Sequence, residues 1–99
     1  MTAEEDRPGL DAAVEIPEDV HFRDLDGEAI LLNATSGRYY GLDEVGTRIW
    51  LLLAEHGRLQ TVLDALLARY DVAAADLERD LLELVRELAG ERLLEIRRP

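Results

Sequence analysis

The chain has no cysteine, no lysine and only two histidines. Without cysteine there is no disulfide framework, no thiolate metal site and no thiol nucleophile. Without lysine there is no Schiff base and no P-loop clamp on phosphate. Its 11 basic residues, all arginine, face 22 acids, for a formal charge of −11. That excess repels phosphate and argues against a nucleic-acid partner. The longest strongly apolar run, Ile49 to Ala54, is far short of the roughly 20 residues that span a bilayer. The first residues lack the basic and apolar regions of a signal peptide. Together these absences point to a cytoplasmic protein with no membrane partner.

What is present fits one domain, since 99 residues lie near the common domain size and bury one modest core. The charge is uneven. Met1 to Asp19 holds seven acids and one arginine, Val20 to Glu44 five and two, and Val45 to Pro99 ten and eight. The first stretch, with Pro8, Gly9 and Pro17, reads as an acidic flexible arm over residues 1–19. The domain proper then spans 20–96, with 97–99 as a tail.

Val20 to Leu25 is a predicted strand. Asp26–Gly27 suits a two-residue type I′ hairpin, because both positions tolerate positive φ. Glu28 to Asn33 returns, Ala34 to Gly37 turns again, and Arg38 to Leu42 is a third strand. These turn lengths place Phe22 opposite Leu31 and Leu31 opposite Tyr40. By alternation, Val20, Phe22, Ala29, Leu31, Tyr40 and Leu42 share a core face. His21, Arg23, Leu25, Ile30, Leu32 and Tyr39 share the other.

Asp43 is an N-cap residue for a helix from about Glu44 to His56, stopped by Gly57. Its expected apolar stripe is Val45, Ile49, Leu52, Leu53 and His56. A second helix spans about Gln60 to Tyr70, with Val62, Leu63, Leu66, Leu67 and Tyr70 inside. A third spans about Ala75 to Ala89, with Gly90 as its stop and Leu77, Leu81, Leu84, Val85 and Leu88 as its stripe. Arg92 to Ile96 is a terminal strand or a packed tail. Strands followed by helices make an α+β fold, a three-stranded antiparallel sheet followed by three helices.

Side chains suited to chemistry are scarce. His21 and His56 have no metal-ligand spacing. Ser36 precedes Gly37 in a turn, and turn chemistry accounts for it. Glu4, Glu5 and Asp6 form a run of the kind water solvates. The sequence therefore predicts no enzyme: no catalytic residue, no metal site and no cofactor. A helix-turn-helix reading fails on the third helix. There Asp76, Glu78, Asp80, Glu83, Glu87 and Glu91 outnumber Arg79 and Arg86. Binding by shape remains. The third strand, Arg38 to Leu42, has no partner assigned on its outer side, and an open edge is either covered or used. With the third helix beside it, the edge forms a groove into which an extended peptide can add as a strand. Alternatively the N-terminal arm or Leu93 to Ile96 covers it. Composition and spacing leave both open.

One run of the sequence resembles a known family. ILLNATSGRYYGLDEVGTRIWLLL, followed by LLARYDV and DLLELVRELAGERLL, is similar to the PqqD-like RiPP recognition elements. Leu31, Leu32, Gly37, Arg38, Tyr39, Tyr40, Leu42, Ile49, Trp50, Leu52, Asp80, Leu84, Leu88, Leu93 and Leu94 carry the match, over Val20 to Leu94. Two departures stand out. Asp43 replaces the usual Asn, and Glu91–Arg92 separate Gly90 from the leucines, which alters the exit from the third helix.

The resemblance implies a winged-helix-like fold without catalysis. It implies that the leader peptide of a ribosomally made precursor adds to the third strand, against the third helix. The domain then presents the precursor to a separate enzyme. In lasso-peptide pathways that enzyme is a cysteine leader protease of transglutaminase-like type, followed by a macrocyclase. The leaders there include a Tyr and a Pro that suit an apolar groove. Two alternatives stand beside this: a PqqD-type chaperone for a radical-SAM enzyme, and an acidic winged-helix regulator of protein or DNA. The peptide-binding residues expected are Leu31, Arg38, Tyr39, Tyr40, Gly41 and Leu42 on the sheet. On the helix they are Leu77, Asp80, Leu81, Leu84, Val85 and Glu87.

Overall fold

The structure, a computed structural model, describes residues 9–98. Its elements run β1 (Ala13–Glu15), β2 (Val20–Leu25), β3 (Glu28–Asn33), β4 (Arg38–Gly41), α1 (Glu44–His56), α2 (Leu59–Arg69), α3 (Ala74–Gly90) and β5 (Glu95–Arg97). The three expected strands are β2, β3 and β4, an antiparallel sheet in that order. The α+β architecture is the one the sequence predicts.

Turn chemistry fixes the register. Asp26 and Gly27 both take positive φ, 56° and 88°, as a type I′ turn requires. The Asp24 carboxylate accepts from Gly27 N at 2.8 Å and holds the turn. Phe22 lies opposite Leu31, and Leu31 opposite Tyr40. Val20, Ala29, Leu31 and Leu42 are buried on the inner face. Phe22 departs from that expectation. At the outer strand β2 it stays 47% exposed, with its ring edge-on to Trp50 at 6.1 Å. The other face is largely open, as alternation demands.

Asp43 caps α1, its side chain accepting from Gly46 N at 2.7 Å. Gly57 ends the helix at φ 74°, its N–H on the Leu53 carbonyl. The buried side of α1 differs from the expected stripe. It is Gly46, Thr47, Ile49, Trp50 and Leu53. Val45 is 45% exposed, Leu52 is half-buried and His56 lies at the exposed helix end. The stripe is rotated because Trp50, the largest side chain in the helix, takes the center of the core. Thr47, a polar residue inside that stripe, is satisfied there: its hydroxyl accepts from Ala29 N at 2.7 Å. The helix α2 buries Leu59, Val62, Leu63 and Leu66. On α3 the buried residues are Leu77, Leu81, Val85 and Leu88.

The N-terminal arm is the main correction to the fold. Residues 1–8 lie outside the described residues, but from Gly9 onward the chain is packed. Ala12 and Val14 belong to the core, and β1 pairs antiparallel with β5. The reason lies in α2, whose N-cap position is Arg58, a residue with no capping side chain. Its free first-turn donors find distant acceptors instead. Leu59 N donates to Ala12 O and Gln60 N to Leu10 O, each at 3.0 Å. Val14 N in turn donates to Gly57 O at 2.8 Å. Helix ends must be satisfied somewhere, and here backbone carbonyls 47 and 50 residues back do it.

A second correction concerns the end of α3. Gly90 is still helical, and Arg92 takes the left-handed conformation, at φ 59°. Arg92 N donates to Ala89 O at 3.1 Å and Leu93 N to Leu88 O at 2.8 Å. This is a Schellman turn with arginine where glycine is usual, and the buried Leu88 and Leu93 supply its apolar contact. The turn sends Leu93 and Leu94 into the core before β5. Among the described residues no helix is long and apolar enough to cross a membrane.

Candidate peptide-binding edge

The described strands leave the outer edge of β4 unpaired: β3 is its one neighbor, and β5 pairs with β1 instead. Neither chain end, over its described part, pairs with this edge. The ladder fixes which groups it offers. Leu42 N donates to Ala29 O at 2.8 Å. Alternate residues of a strand share a hydrogen-bonding side, so Tyr40 and Arg38 also turn their main chain toward β3. Tyr39 and Gly41 therefore present N–H and C=O outward. Gly41 has nothing within 4 Å of where a Cβ would stand, so the outer face of the sheet is open beside it.

The helix α3 lies along the inner side of the same edge, and three contacts fix it. The Tyr40 hydroxyl donates to Glu87 at 2.5 Å. Arg38 and Glu91 pair at 3.8 Å. Asn33 Nδ2 donates to the Arg92 carbonyl at 2.9 Å. As β4 runs from 38 to 40, its partners step from 91 to 87, so strand and helix are antiparallel. The positions Asp80, Leu84, Glu87 and Glu91, spaced four, three and four, form one line along α3 and onto its C-cap. Leu84 within it is half-buried. Asp80 is held to Arg79 at 3.5 Å. The result is a strand edge with open backbone donors and acceptors beside an acidic helix. Acids in the last turn of a helix face the negative end of its dipole, and α3 has no basic residue there to offset them. Tyr40 registers this field. Its hydrogen bond to Glu87, burial, and the charges of Glu87 and Glu91 push its pKa up from 10.0 to about 12.

The expected site residues separate into three groups. Arg38, Tyr40 and Gly41 lie on β4 and Glu87 meets Tyr40 there, while Asp80 and Leu84 sit two turns and one turn earlier on α3 with no hydrogen bond or ion pair to the strand. Tyr39 contributes its backbone there, while its side chain, 71% exposed, lies on the other face of the sheet. Leu31, Leu42, Leu77, Leu81 and Val85 are buried members of the core. They shape the groove from beneath and expose little surface to it. Sequence reasoning missed Asn33, Glu91 and Arg92. Asn33 lay in plain sight as the one polar residue on the inner face of β3. Its partner, the Arg92 carbonyl, left no mark in the sequence. Among the described residues no group of three or more potential metal ligands is gathered.

An open strand edge beside a helix is one geometry to which extended peptides can add. The family model for coenzyme PQQ synthesis protein D (PqqD) matches residues 28–94, from β3 through the end of the core. The chain belongs to the PqqD family. Two solved structures share the fold. One is TbiB1 in complex with the TbiA(beta) leader peptide. It is 43% identical with a TM-score of 0.78, over 82% of this chain and 94% of that one. The other is lasso peptide synthetase B1 complexed with its leader peptide. It is 24% identical with a TM-score of 0.75, over 84% and 98%. No curated protein matches.

Proposed function

We propose that this protein binds the leader peptide of a ribosomally synthesised precursor as an added strand on β4, in the groove against α3. It presents that precursor to a separate processing enzyme and catalyses nothing itself. The observation that carries this is the unpaired edge at Tyr39 and Gly41 beside α3. The leader complex of TbiB1, a relative 43% identical, supports it. Strand addition supplies net main-chain hydrogen bonds of about 1 kcal/mol each, so selection between peptides falls to side chains along the groove. Tyr40, Leu84 and Glu87 are the side chains placed to make it. The processing enzyme is a cysteine leader protease of transglutaminase-like type, acting before a macrocyclase, in the cytoplasm where the precursor is made. The match to the coenzyme PQQ synthesis protein D family keeps one second reading, and the resemblance implies what it is: service to a radical-SAM enzyme. Co-purification with one enzyme type or the other separates them.

The test is a fluorescence titration of labelled TbiA(beta) leader peptide. Tyr39→Pro removes an outward N–H without touching the β3–β4 ladder, and edge strands tolerate proline there. It should weaken binding at least about tenfold, a loss of about 1.4 kcal/mol, with the circular dichroism spectrum retained. Saturable binding that Tyr39→Pro leaves intact would show that the peptide uses another surface. No binding of this peptide or of the cognate leader would sink the function.

A further inference from the structure

Of the three contacts that join the β3–β4 hairpin to α3 and the turn that follows it, two join exposed side-chain groups. Arg38 and Glu91 are 72% and 36% exposed, and Tyr40 meets Glu87 at the surface. Such pairs hold position weakly in water. The third differs in kind. Asn33 is buried, at 4% exposure, and its amide grips main chain at both ends. Oδ1 accepts from Thr35 N at 3.0 Å and Ser36 N at 3.1 Å. Nδ2 donates to the Arg92 carbonyl. One rigid side chain thus joins the turn that launches β4 to the Schellman turn that ends α3. Both ends are places where the backbone takes a restricted conformation: Gly37, at φ 75°, closes the first turn, and Arg92, at φ 59°, makes the second. Only an amide fits, since the site needs an acceptor on one atom and a donor on the other.

We propose that Asn33 is the positioning residue for peptide capture. It sets the separation between the β4 edge and α3, so peptide affinity depends on it beyond its effect on stability. This rests on the function proposed above. Asn33 has no outward-facing group and touches no part of the edge that a peptide would pair with. Its effect runs through the spacing of the two groove walls. The Tyr40–Glu87 contact reports on that spacing. If the walls part, Tyr40 loses its acceptor and its pKa returns toward 10.0 from about 12.

The experiment compares wild type, Asn33→Asp and Val62→Ala. Aspartate keeps an acceptor for the Thr35 and Ser36 amides but sets a carboxylate against the Arg92 carbonyl. Val62, on α2, is buried and away from the groove; its substitution controls for lost stability. Asn33→Asp should bind TbiA(beta) leader at least about tenfold more weakly than wild type, and its Tyr40, followed by NMR of ring-labelled tyrosine, should titrate lower. Val62→Ala should change neither. Wild-type affinity in Asn33→Asp, or a Tyr40 titration left near its original value, overturns the proposal. Where wild type itself fails to bind, it is the proposed function that falls. Should Asn33→Asp not fold, wild type still decides. Asn33 is the one asparagine in the chain and Gln60 the one glutamine, so both side-chain amides are readily assigned. Saturating peptide should slow exchange of the Asn33 amide protons and leave those of Gln60 unchanged. Unchanged exchange at Asn33 overturns the idea.

Discussion

The hydroxyl of Tyr40 donates to the Glu87 carboxylate at 2.5 Å, joining the middle of the open strand to the last turn of α3. The folded state therefore favours the protonated phenol, whose pKa rises from 10.0 to about 12, first because of that bond and then because of burial. A group with a raised pKa contributes stability that is full below its unfolded value and lost as pH climbs through its folded value. The unfolding midpoint in urea should thus fall more steeply between about pH 10 and pH 12 in wild type than in Tyr40→Phe. Parallel curves would show that the bond contributes nothing to the fold.

The groove's acids should make capture of a cationic peptide depend on salt. Raising ionic strength from about 0.01 M to about 1 M shortens the screening length from about 30 Å to about 3 Å. Affinity for a basic leader should weaken across that range, and Glu87→Gln should flatten the dependence. An affinity indifferent to salt would leave the acidic line Asp80, Glu87 and Glu91 without a role in recognition.

Arg92 holds a left-handed conformation that costs a residue with a side chain about 1–2 kcal/mol. Arg92→Gly should raise stability, by about 0.5–1 kcal/mol after the entropy glycine adds to the unfolded chain. Calorimetry measures this directly. A drop in melting temperature would mean that the arginine side chain makes a contact worth more than the strain.

Deleting residues 1–16 should destabilise the domain although the sheet edge and α3 are untouched. It removes Ala12 and Val14 from the core and leaves the Leu59 and Gln60 amides without their acceptors. Burial of a valine side chain alone is worth about 1.5–3 kcal/mol. Emission from Trp50, the one tryptophan in the chain, during urea unfolding should show a loss of at least about 2 kcal/mol. An unchanged midpoint would mean the segment rides on the fold without supporting it.

The sheet was legible because its determinants are local. Asp26–Gly27 fixes one register, the turn from Ala34 to Gly37 fixes the other, and the open edge follows from strand order. The caps of α1 were legible for the same reason, since Asp43 and Gly57 act on their own neighbors. What escaped was non-local. Arg58 gives no sign that Leu10 and Ala12 will cap α2 for it. Gly90 looks like a stop, yet the Schellman turn forms two residues later, where Leu93 finds Leu88. Within the site, Tyr40 and Glu87 were each named, but their bond depends on how α3 lies. Asn33 was read as the end of a strand, because the carbonyl it holds belongs to a residue 59 positions away.

The pairing of β1 with β5 has a geometric consequence for anything attached to this domain. Ala13 stands opposite Arg97, so the start of β1 and the end of β5 lie side by side. A second domain tethered before β1 or after β5 would hang from nearly one anchor and see the β4 edge from the same direction. A longer linker would extend the reach of such a domain toward the β4 edge from either side of this pair.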